Sequence, residues 1–136
     1  MKRSATAVWN GSGKEGNGAL TTQSTVLNNS QYSFKTRFED GIGTNPEELM
    51  AAAHAGCFSM KLSFVLGNSG IVPSKIETNC TITMEDGVIN NSHIDCTVTA
   101  EGLTAEALEV ATKEAKENCP VSKAYNMSIT MDAKLG

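Results

Sequence analysis

The stretch "GTNPEELMAAAHAGCFSMKLSFVLG", residues 43–67, predicts the long central helix around which the rest of the fold is arranged. Asn45 can cap its first turn, Pro46 fits the first helical position, and the two glutamates that follow face the positive end of the helix dipole. We expect the helix to end near Leu66, with Gly67 as the terminating residue. Because its middle is apolar on nearly every side, the pattern is typical of a helix that is buried on most faces.

The segments on either side of this helix predict strands and one further helix. Residues 104–119 predict an amphipathic helix with Thr104 as its cap. The predicted strands cover residues 4–10, 18–27, 31–38, 75–85, 92–100 and 126–135. The order is therefore βββ-α-ββ-α-β, which predicts an α+β fold with a mainly antiparallel sheet. With 136 residues, the chain is expected to form one domain over residues 1–136.

The composition argues against several classes of protein. The net charge is −4, and no run of basic residues is longer than Lys2-Arg3, which argues against a nucleic-acid surface. The apolar part of the 43–67 helix is interrupted by His54 and Lys61, so we expect no membrane segment. The first residues lack the apolar core of a signal peptide. These features predict a cytoplasmic protein.

Residues 11–16 contain the pattern G-x-G-x-x-G, which binds dinucleotide phosphates when a helix follows it. Strand sequence follows it here, so a flexible hairpin loop is the expected structure. No cofactor is therefore predicted for this chain.

The four cysteines, at positions 57, 80, 96 and 119, are too widely spaced for a zinc site built from short ligand pairs, and no metal is expected. In the reducing cytoplasm they are also not expected to form two structural disulfides. Cys80 and Cys96 lie on the apolar side of their strands, which predicts core positions. A hairpin centred near Val88 would make them cross-strand neighbours.

Cys57 and Cys119 lie in the predicted helices, and the pattern leaves two interpretations of them open. A helical cysteine is most often a small apolar core residue, and the pattern alone favours that interpretation for Cys57. Cys119 precedes Pro120, where the second helix breaks, and a thiol at such a junction can be partly exposed and can move. A resolving cysteine needs that freedom.

Two motifs carry a specific resemblance. The segment "TRFEDGIGTNPEELMAAAHAGCFSM" (36–60), together with "ENCPVSKA" (117–124), closely resembles the OsmC/Ohr family of cysteine-based peroxidases. The resemblance is nearer to the osmotically inducible OsmC branch, in which an arginine lies shortly before the T-N-P-E-E-L helix. It implies the reduction of organic hydroperoxides to alcohols, a fold with the predicted order of elements, and an intertwined homodimer with sites at the subunit interface.

The resemblance also implies a role for each matching residue. Cys57 matches the peroxidatic cysteine and Cys119 the resolving one, so that a Cys57 sulfenic acid leads to a Cys57–Cys119 disulfide. Arg37 matches the arginine that stabilises the thiolate and the peroxide, and Glu47 matches the glutamate that orients this arginine. The implied reductant is a dithiol of the lipoyl type, carried by a lipoylated protein.

The spacing along the 43–67 helix adds an inference about subunits. Glu47 and Cys57 are ten residues apart, which is about 15 Å along a helix axis and too far for one side chain to close. Either the constellation is loose, or Glu47 and Arg37 serve the Cys57 of a second subunit. The implied homodimer favours the second arrangement.

Two other functions stay open at the level of the sequence. A domain of the same fold could sense redox state or bind a ligand, with cysteines that oxidise but do not turn over. His54, three residues before Cys57 and on nearly the same helical face, could act as the base of a cysteine hydrolase. Packing or a structural hydrogen bond is the favoured role of His54, and the complete set of four matching residues favours the peroxidase.

Overall fold

The chain folds into six strands and four helices, and the computed structural model describes all 136 residues. The strands are β1 (Ala5–Asn10), β2 (Asn17–Thr22), β3 (Ser30–Ser33), β4 (Lys75–Glu85), β5 (Val88–Thr99) and β6 (Ser128–Leu135). The helices are α1 (Phe34–Phe38), α2 (Pro46–Asn68), α3 (Ala105–Asn118) and α4 (Pro120–Ala124). The α+β class is as predicted, with the two short helices α1 and α4 in addition. The chain divides into two compact units, Met1–Leu49 and Met50–Gly136, and the single domain stays a prediction.

The first unit contains an antiparallel three-stranded sheet in the order β1-β2-β3. β1 and β2 form a hairpin, and residues 11–16 are its loop, as predicted. Gly18 on β2 pairs with Trp9 on one side and Tyr32 on the other, and the two aromatic rings lie 5.4 Å apart. A Cβ at position 18 would lie 2.4 Å from the Tyr32 ring, so the close approach of the rings requires glycine.

The strand predicted over residues 31–38 is wrong in its second half. β3 ends at Ser33, and α1 begins at Phe34. The Ser33 hydroxyl accepts from the Thr36 N–H, and the Thr36 hydroxyl accepts from the Ser33 N–H. This capping box starts a helix through local hydrogen bonds, even though the aromatic residues around it favour a strand. Arg37 therefore lies on a helix.

Helix α2 begins as predicted and ends later than predicted. The Asn45 side chain accepts a hydrogen bond from the Glu48 N–H (2.8 Å), which caps the first turn. Gly67 lies inside the helix, and Gly70, with φ of 77°, takes the left-handed conformation instead. The Gly70 N–H donates to the Gly67 carbonyl and the next N–H donates to the Leu66 carbonyl, which is the hydrogen-bond pattern of a Schellman C-cap.

The second unit has one core, which α2, α3 and the sheet β4-β5-β6 share. β4 and β5 are antiparallel and β5 and β6 are parallel, so strand pairing in the chain is mainly antiparallel, as predicted. The buried core residues are Phe58, Leu62, Val65, Leu66, Ile94, Cys96, Val98, Leu103, Leu108, Ala111, Ala115 and Cys119. Because Cys119 belongs to this core and Cys57 packs against it, the core positions both cysteines.

The hairpin is not centred on Val88, so Cys80 and Cys96 are not directly opposite one another, although both residues contribute to the core side of the hairpin. Cys80 lies opposite Ile94, and Cys96 lies opposite Thr78. The turn precedes Val88, the predicted centre, and the register shifts between Thr83 and Met84, where β5 has one extra residue, Asn90. Cys96 is buried, as predicted, and Cys80 is half-buried against the same core.

One chain covers only one side of α2, so the prediction of a helix buried on most faces is wrong for the single chain. The buried side chains of α2 are His54, Phe58, Leu62, Val65 and Leu66. Elsewhere on the helix, Met60 and Phe64 are 64% and 65% exposed, and Ala53 and Gly56 are exposed as well. Helix α2 is long and apolar enough to cross a membrane, and the core helix of a soluble protein can have the same length and composition. The single chain thus leaves an apolar surface on α2 uncovered.

Candidate active site: a cysteine pair

Helix α2 and the junction of α3 with α4 bring Cys57 and Cys119 together. Cys119 is both the C-cap of α3 and the N-cap of α4, and Pro120 begins α4. The Cys119 Sγ lies 3.0 Å from the Cys57 Sγ, and both thiols are free. Cys119 is completely buried and Cys57 is half-buried, so only Cys57 presents a surface that a small molecule can reach.

The surroundings of Cys57 in the second unit do not favour its thiolate. Burial raises the pKa of Cys57, and its hydrogen bond with Cys119 raises the pKa further. The backbone N–H of Val121 in α4 lowers the pKa but does not compensate for burial. Since the thiolate is the reactive form of cysteine, Cys57 needs a positive charge in addition to these groups.

Arg37 and Glu47 form an ion pair in the first unit. The Arg37 Nε lies 3.2 Å from each carboxylate oxygen of Glu47, and Nη2 donates to one of them as well. These hydrogen bonds raise the pKa of Arg37 and lower the pKa of Glu47. The Asn45 side chain donates to the Thr36 carbonyl, which ties α1 to the start of α2. The guanidinium is therefore permanently charged and held in one orientation.

His54 is completely buried, and each of its ring nitrogens has a serine partner. Nδ1 lies 2.6 Å from the Ser92 Oγ on β5, and Nε2 lies 2.8 Å from the Ser122 Oγ on α4. Burial lowers the pKa of His54, so the imidazole is neutral near pH 7. With both nitrogens engaged, none is free to act as a base on Cys57. This arrangement agrees with the structural hydrogen bond that the sequence pattern favours.

Ser122 and Tyr125 lie beside the cysteine pair and are not predicted by the sequence analysis. The Ser122 hydroxyl contacts His54, and the Tyr125 hydroxyl donates to the Met50 carbonyl at 2.8 Å. The one signal in the sequence is that Ser122 follows Cys119 by three residues, or about one helical turn. A serine at that spacing is usually a surface residue, so the signal does not identify its partner.

One group of side chains has the chemistry to hold a metal ion. His93 and Asp95 on β5 and Asp132 on β6 have ligand atoms within 4.8 Å of one another. The side chains of the two aspartates are 56% and 83% exposed, and His93 already contacts the Thr130 hydroxyl. Exposed acidic groups of this kind are common without an ion, so this surface group does not define a metal centre.

The fold and the site define a class of protein: an α+β protein with two free thiols 3.0 Å apart, one of them half-exposed. Two thiols at this distance suit redox chemistry, because one sulfur can be oxidised and the other can form a disulfide with it. The sequence model of the OsmC-like protein family matches residues 39–134. The chain therefore belongs to the OsmC-like family, as the resemblance predicted.

Named relatives match nearly the full length of the chain. "Peroxiredoxin OsmC" of Escherichia coli is 41% identical over 133 residues, which cover 95% of this chain and 93% of the relative. "Organic hydroperoxide resistance protein-like 2" of Staphylococcus epidermidis is 30% identical over 134 residues, with the same coverage of 95% and 93%. The crystal structure of an organic hydroperoxide resistance protein from Elizabethkingia anophelis matches with a TM-score of 0.77. That match covers 100% of this chain and 97% of the other at 21% identity, so it shows the fold alone.

Proposed function

We propose that this protein is a cysteine-based thiol peroxidase that reduces organic hydroperoxides to alcohols. The observation that carries the proposal is the 3.0 Å separation between the Sγ atoms of Cys57 and Cys119, of which only Cys57 is partly exposed. Membership of the OsmC-like family supports it. One relative at 41% identity is named a peroxiredoxin, and one at 30% identity is named for organic hydroperoxide resistance.

Cys57 is the peroxidatic residue in this proposal. Its thiolate attacks one oxygen of the hydroperoxide, so that an S–O bond forms and the O–O bond breaks. The alkoxide leaves and takes up a proton to give the alcohol, while Cys57 keeps the other oxygen as a sulfenic acid. The peroxide gains two electrons and the Cys57 sulfur loses two.

Cys119 is the resolving residue. Its sulfur attacks the sulfenic sulfur of Cys57, an S–S bond forms, and the hydroxyl leaves as water. The two sulfur atoms are about 1 Å farther apart than in a disulfide, so this step needs only a small movement. An external dithiol then reopens the bridge by thiol–disulfide exchange. We assign this role to a lipoyl-type dithiol on a lipoylated protein in the cytoplasm, in line with the family resemblance.

Arg37 supplies the positive charge that Cys57 lacks. Burial and the neighbouring Cys119 raise the pKa of Cys57, so its thiolate needs a cation. The guanidinium of Arg37 keeps its charge at any working pH, and Glu47 orients it. It lowers the pKa of Cys57 and donates hydrogen bonds to the peroxide oxygens while negative charge develops on the leaving alkoxide.

The proposed site is shared between two copies of the chain. About 15 Å of helix axis separates Glu47 from Cys57, so Arg37 and Glu47 of one copy serve the Cys57 of the other. The exposed apolar side of α2 supports an intertwined homodimer, because a single chain leaves Met60 and Phe64 in water. In the dimer, each copy contributes the thiols of one site and the cation of the other.

The test is the consumption of cumene hydroperoxide with excess dihydrolipoamide by three forms of the protein. We expect the wild type to turn over, Cys57→Ser to be inactive, and Cys119→Ser to stall after about one equivalent of peroxide. Cys80→Ser is the matched control, since Cys80 is a half-buried thiol outside the pair, and it is expected to retain turnover.

Three results would contradict the proposal. Activity that persists in Cys57→Ser would assign the chemistry to another group. A wild type that forms one disulfide with peroxide but is not recycled by any dithiol would identify a redox-sensing domain of the same fold. Ester cleavage without disulfide formation would identify a hydrolase instead.

A further inference from the structure

A row of contacts joins the segment after α3 to one face of α2. Besides the contact between the two cysteines, the His54 Nε2 lies 2.8 Å from the Ser122 Oγ. The Tyr125 hydroxyl donates to the Met50 carbonyl, also at 2.8 Å. We call these two contacts, made by His54 with Ser122 and by Met50 with Tyr125, the α2–α4 clasp.

The clasp follows from the spacing of residues in both segments. On α2 the contacts fall at positions 50, 54 and 57, which share one face of a helix. On the other segment they fall at positions 119, 122 and 125, three residues apart. The partners run in opposite order, 57 with 119, 54 with 122 and 50 with 125, so the segment that carries Cys119 lies antiparallel along this face.

The centre of the clasp is held in place from several directions. His54 is completely buried, and Ser92 on β5 holds its other ring nitrogen at 2.6 Å. The Tyr125 ring packs edge-on against the imidazole, with 5.3 Å between the ring centroids. A hydrogen bond lost here would leave a buried polar atom without a partner, which is unfavourable. The fixed imidazole therefore fixes Ser122, which lies three residues after Cys119.

We propose that His54, Ser122 and Tyr125 are positioning residues for the resolving step and hold the Cys119 sulfur within reach of oxidised Cys57. This inference rests on the proposed peroxidase function. In the resolving step the Cys119 thiol attacks the sulfenic acid, the S–S bond forms and water leaves. In the competing step the sulfenate attacks a second hydroperoxide molecule, which gives the alcohol and a sulfinic acid on Cys57.

The competition between these two steps makes the position of Cys119 decisive. Resolution is intramolecular, and a misplacement of about 1 Å can slow such a step by about 100-fold. Overoxidation is bimolecular, so its rate depends on the concentration of peroxide. The clasp makes no hydrogen bond to either sulfur of the pair, and the one contact from α4 to Cys57 is made by the backbone N–H of Val121. Loss of the clasp therefore acts chiefly on the position of Cys119.

The test uses Ser122→Ala, with Ser92→Ala as the matched control. Both variants remove a buried hydroxyl that contacts His54, but only Ser122 belongs to the segment that carries Cys119. Stopped-flow measurements separate the peroxide-dependent oxidation of Cys57 from the first-order formation of the disulfide. Mass spectrometry measures the fraction of sulfinic acid as the peroxide concentration rises.

We expect Ser122→Ala to oxidise Cys57 at close to the wild-type rate and to slow the formation of the disulfide by a larger factor, about five- to tenfold. Its sulfinic acid fraction rises at peroxide concentrations that leave the wild type intact. Tyr125→Phe removes only the hydroxyl at the end of the clasp, and it is expected to slow disulfide formation by about twofold. This milder variant keeps the test decisive if Ser122→Ala fails to fold.

Two results would overturn the inference while leaving the peroxidase function intact. The first is that Ser122→Ala forms the disulfide at the wild-type rate and gives no additional sulfinic acid. If Ser122→Ala does not fold, the same result in Tyr125→Phe would overturn the inference. The second is an equal slowing by Ser92→Ala, which keeps the contact between Ser122 and His54 and would show that the effect does not depend on that contact. A wild type that forms no Cys57–Cys119 disulfide with peroxide would instead overturn the proposed function, and the inference with it.

Discussion

The two compact units of the chain contain different parts of the proposed chemistry. The second unit contains the Cys57–Cys119 pair, and the groups around Cys57 raise its pKa. The first unit contains no cysteine, but it holds Arg37 as a cation fixed by Glu47. A thiol without a cation reacts slowly with a peroxide, and a cation without a thiol has nothing to activate.

This difference implies that the proposed activity depends on bringing unlike regions together. The nucleophile belongs to a packed core, which fixes the distance between two sulfur atoms. The cation, Arg37, belongs to the short capped helix α1, and its partner Glu47 belongs to the first turn of α2. Local hydrogen bonds join these two segments and fix the orientation of the guanidinium. We assign the combination of the two regions to a pair of chains, and three variants break or sharpen the comparison.

The largest effect is expected for the cation. Arg37→Met removes the charge and keeps an apolar stem, so the pKa of Cys57 rises and its reaction with cumene hydroperoxide slows by about 100-fold or more. Stopped-flow rates measured from pH 5 to 9 give both quantities. Arg3→Met, which alters an exposed arginine in the same unit, is the matched control and is expected to react at the wild-type rate. Wild-type behaviour in Arg37→Met would make the first unit irrelevant to the thiol chemistry.

A smaller effect is expected for the surface that joins the two copies. Phe64→Asp places a charge on the exposed apolar side of α2, which is expected to shift most of the protein to the monomer and, through the dimer that remains, to lower turnover by about tenfold. Sedimentation velocity gives the mass, and the peroxidase assay gives the turnover. Val110→Asp is the control, because Val110 on α3 is 68% exposed against 65% for Phe64. A fully active monomeric Phe64→Asp would show that one chain holds a complete site.

The smallest effect is confined to the second unit and concerns its stability. Burial lowers the pKa of His54 below its ordinary value of 6.5, so the unfolded chain binds a proton more readily than the folded one. The free energy of unfolding therefore decreases as the pH falls through about 6.5. Cys80 and Tyr125, which face His54, have raised pKa values and do not titrate in this range.

Urea denaturation at pH 7.5 and pH 5.5 measures this loss of stability. His54→Gln is expected to lose less stability than the wild type over this interval, because it lacks the titrating group. An equal loss in the wild type and His54→Gln would show that the buried imidazole does not limit stability in acid.

Local hydrogen-bond chemistry explains which parts of the fold the sequence predicts. Asn45 caps α2 and Thr104 caps α3 as expected, because a cap depends on side chains within a few residues of the helix start. The helical segment after Ser33 is not predicted, because aromatic residues that favour a strand surround a capping box of serine and threonine. The end of α2 depends on which of two nearby glycines, Gly67 or Gly70, adopts positive φ, and both fit the pattern.

The candidate site is predicted only in part, because its geometry depends on residues that are distant in the sequence. The identities of Cys57 and Cys119 come from motif resemblance, and their 3.0 Å contact comes from the packing of the core. His54 and Ser122 are 68 residues apart, and no local pattern links them. The register of the β4–β5 hairpin depends on a bulge, which period-2 patterns do not reveal.

The shared site is tested most directly by mixing two inactive variants, Arg37→Met and Cys57→Ser. A mixed dimer combines the intact Cys57 of one chain with the intact Arg37 of the other, so one of its two sites is complete. If the subunits exchange at random, we predict about a quarter of the wild-type turnover of cumene hydroperoxide. Native mass spectrometry shows whether the sample contains mixed dimers. If it does, and turnover is no greater than that of the separate variants, the result would contradict a site shared between two chains.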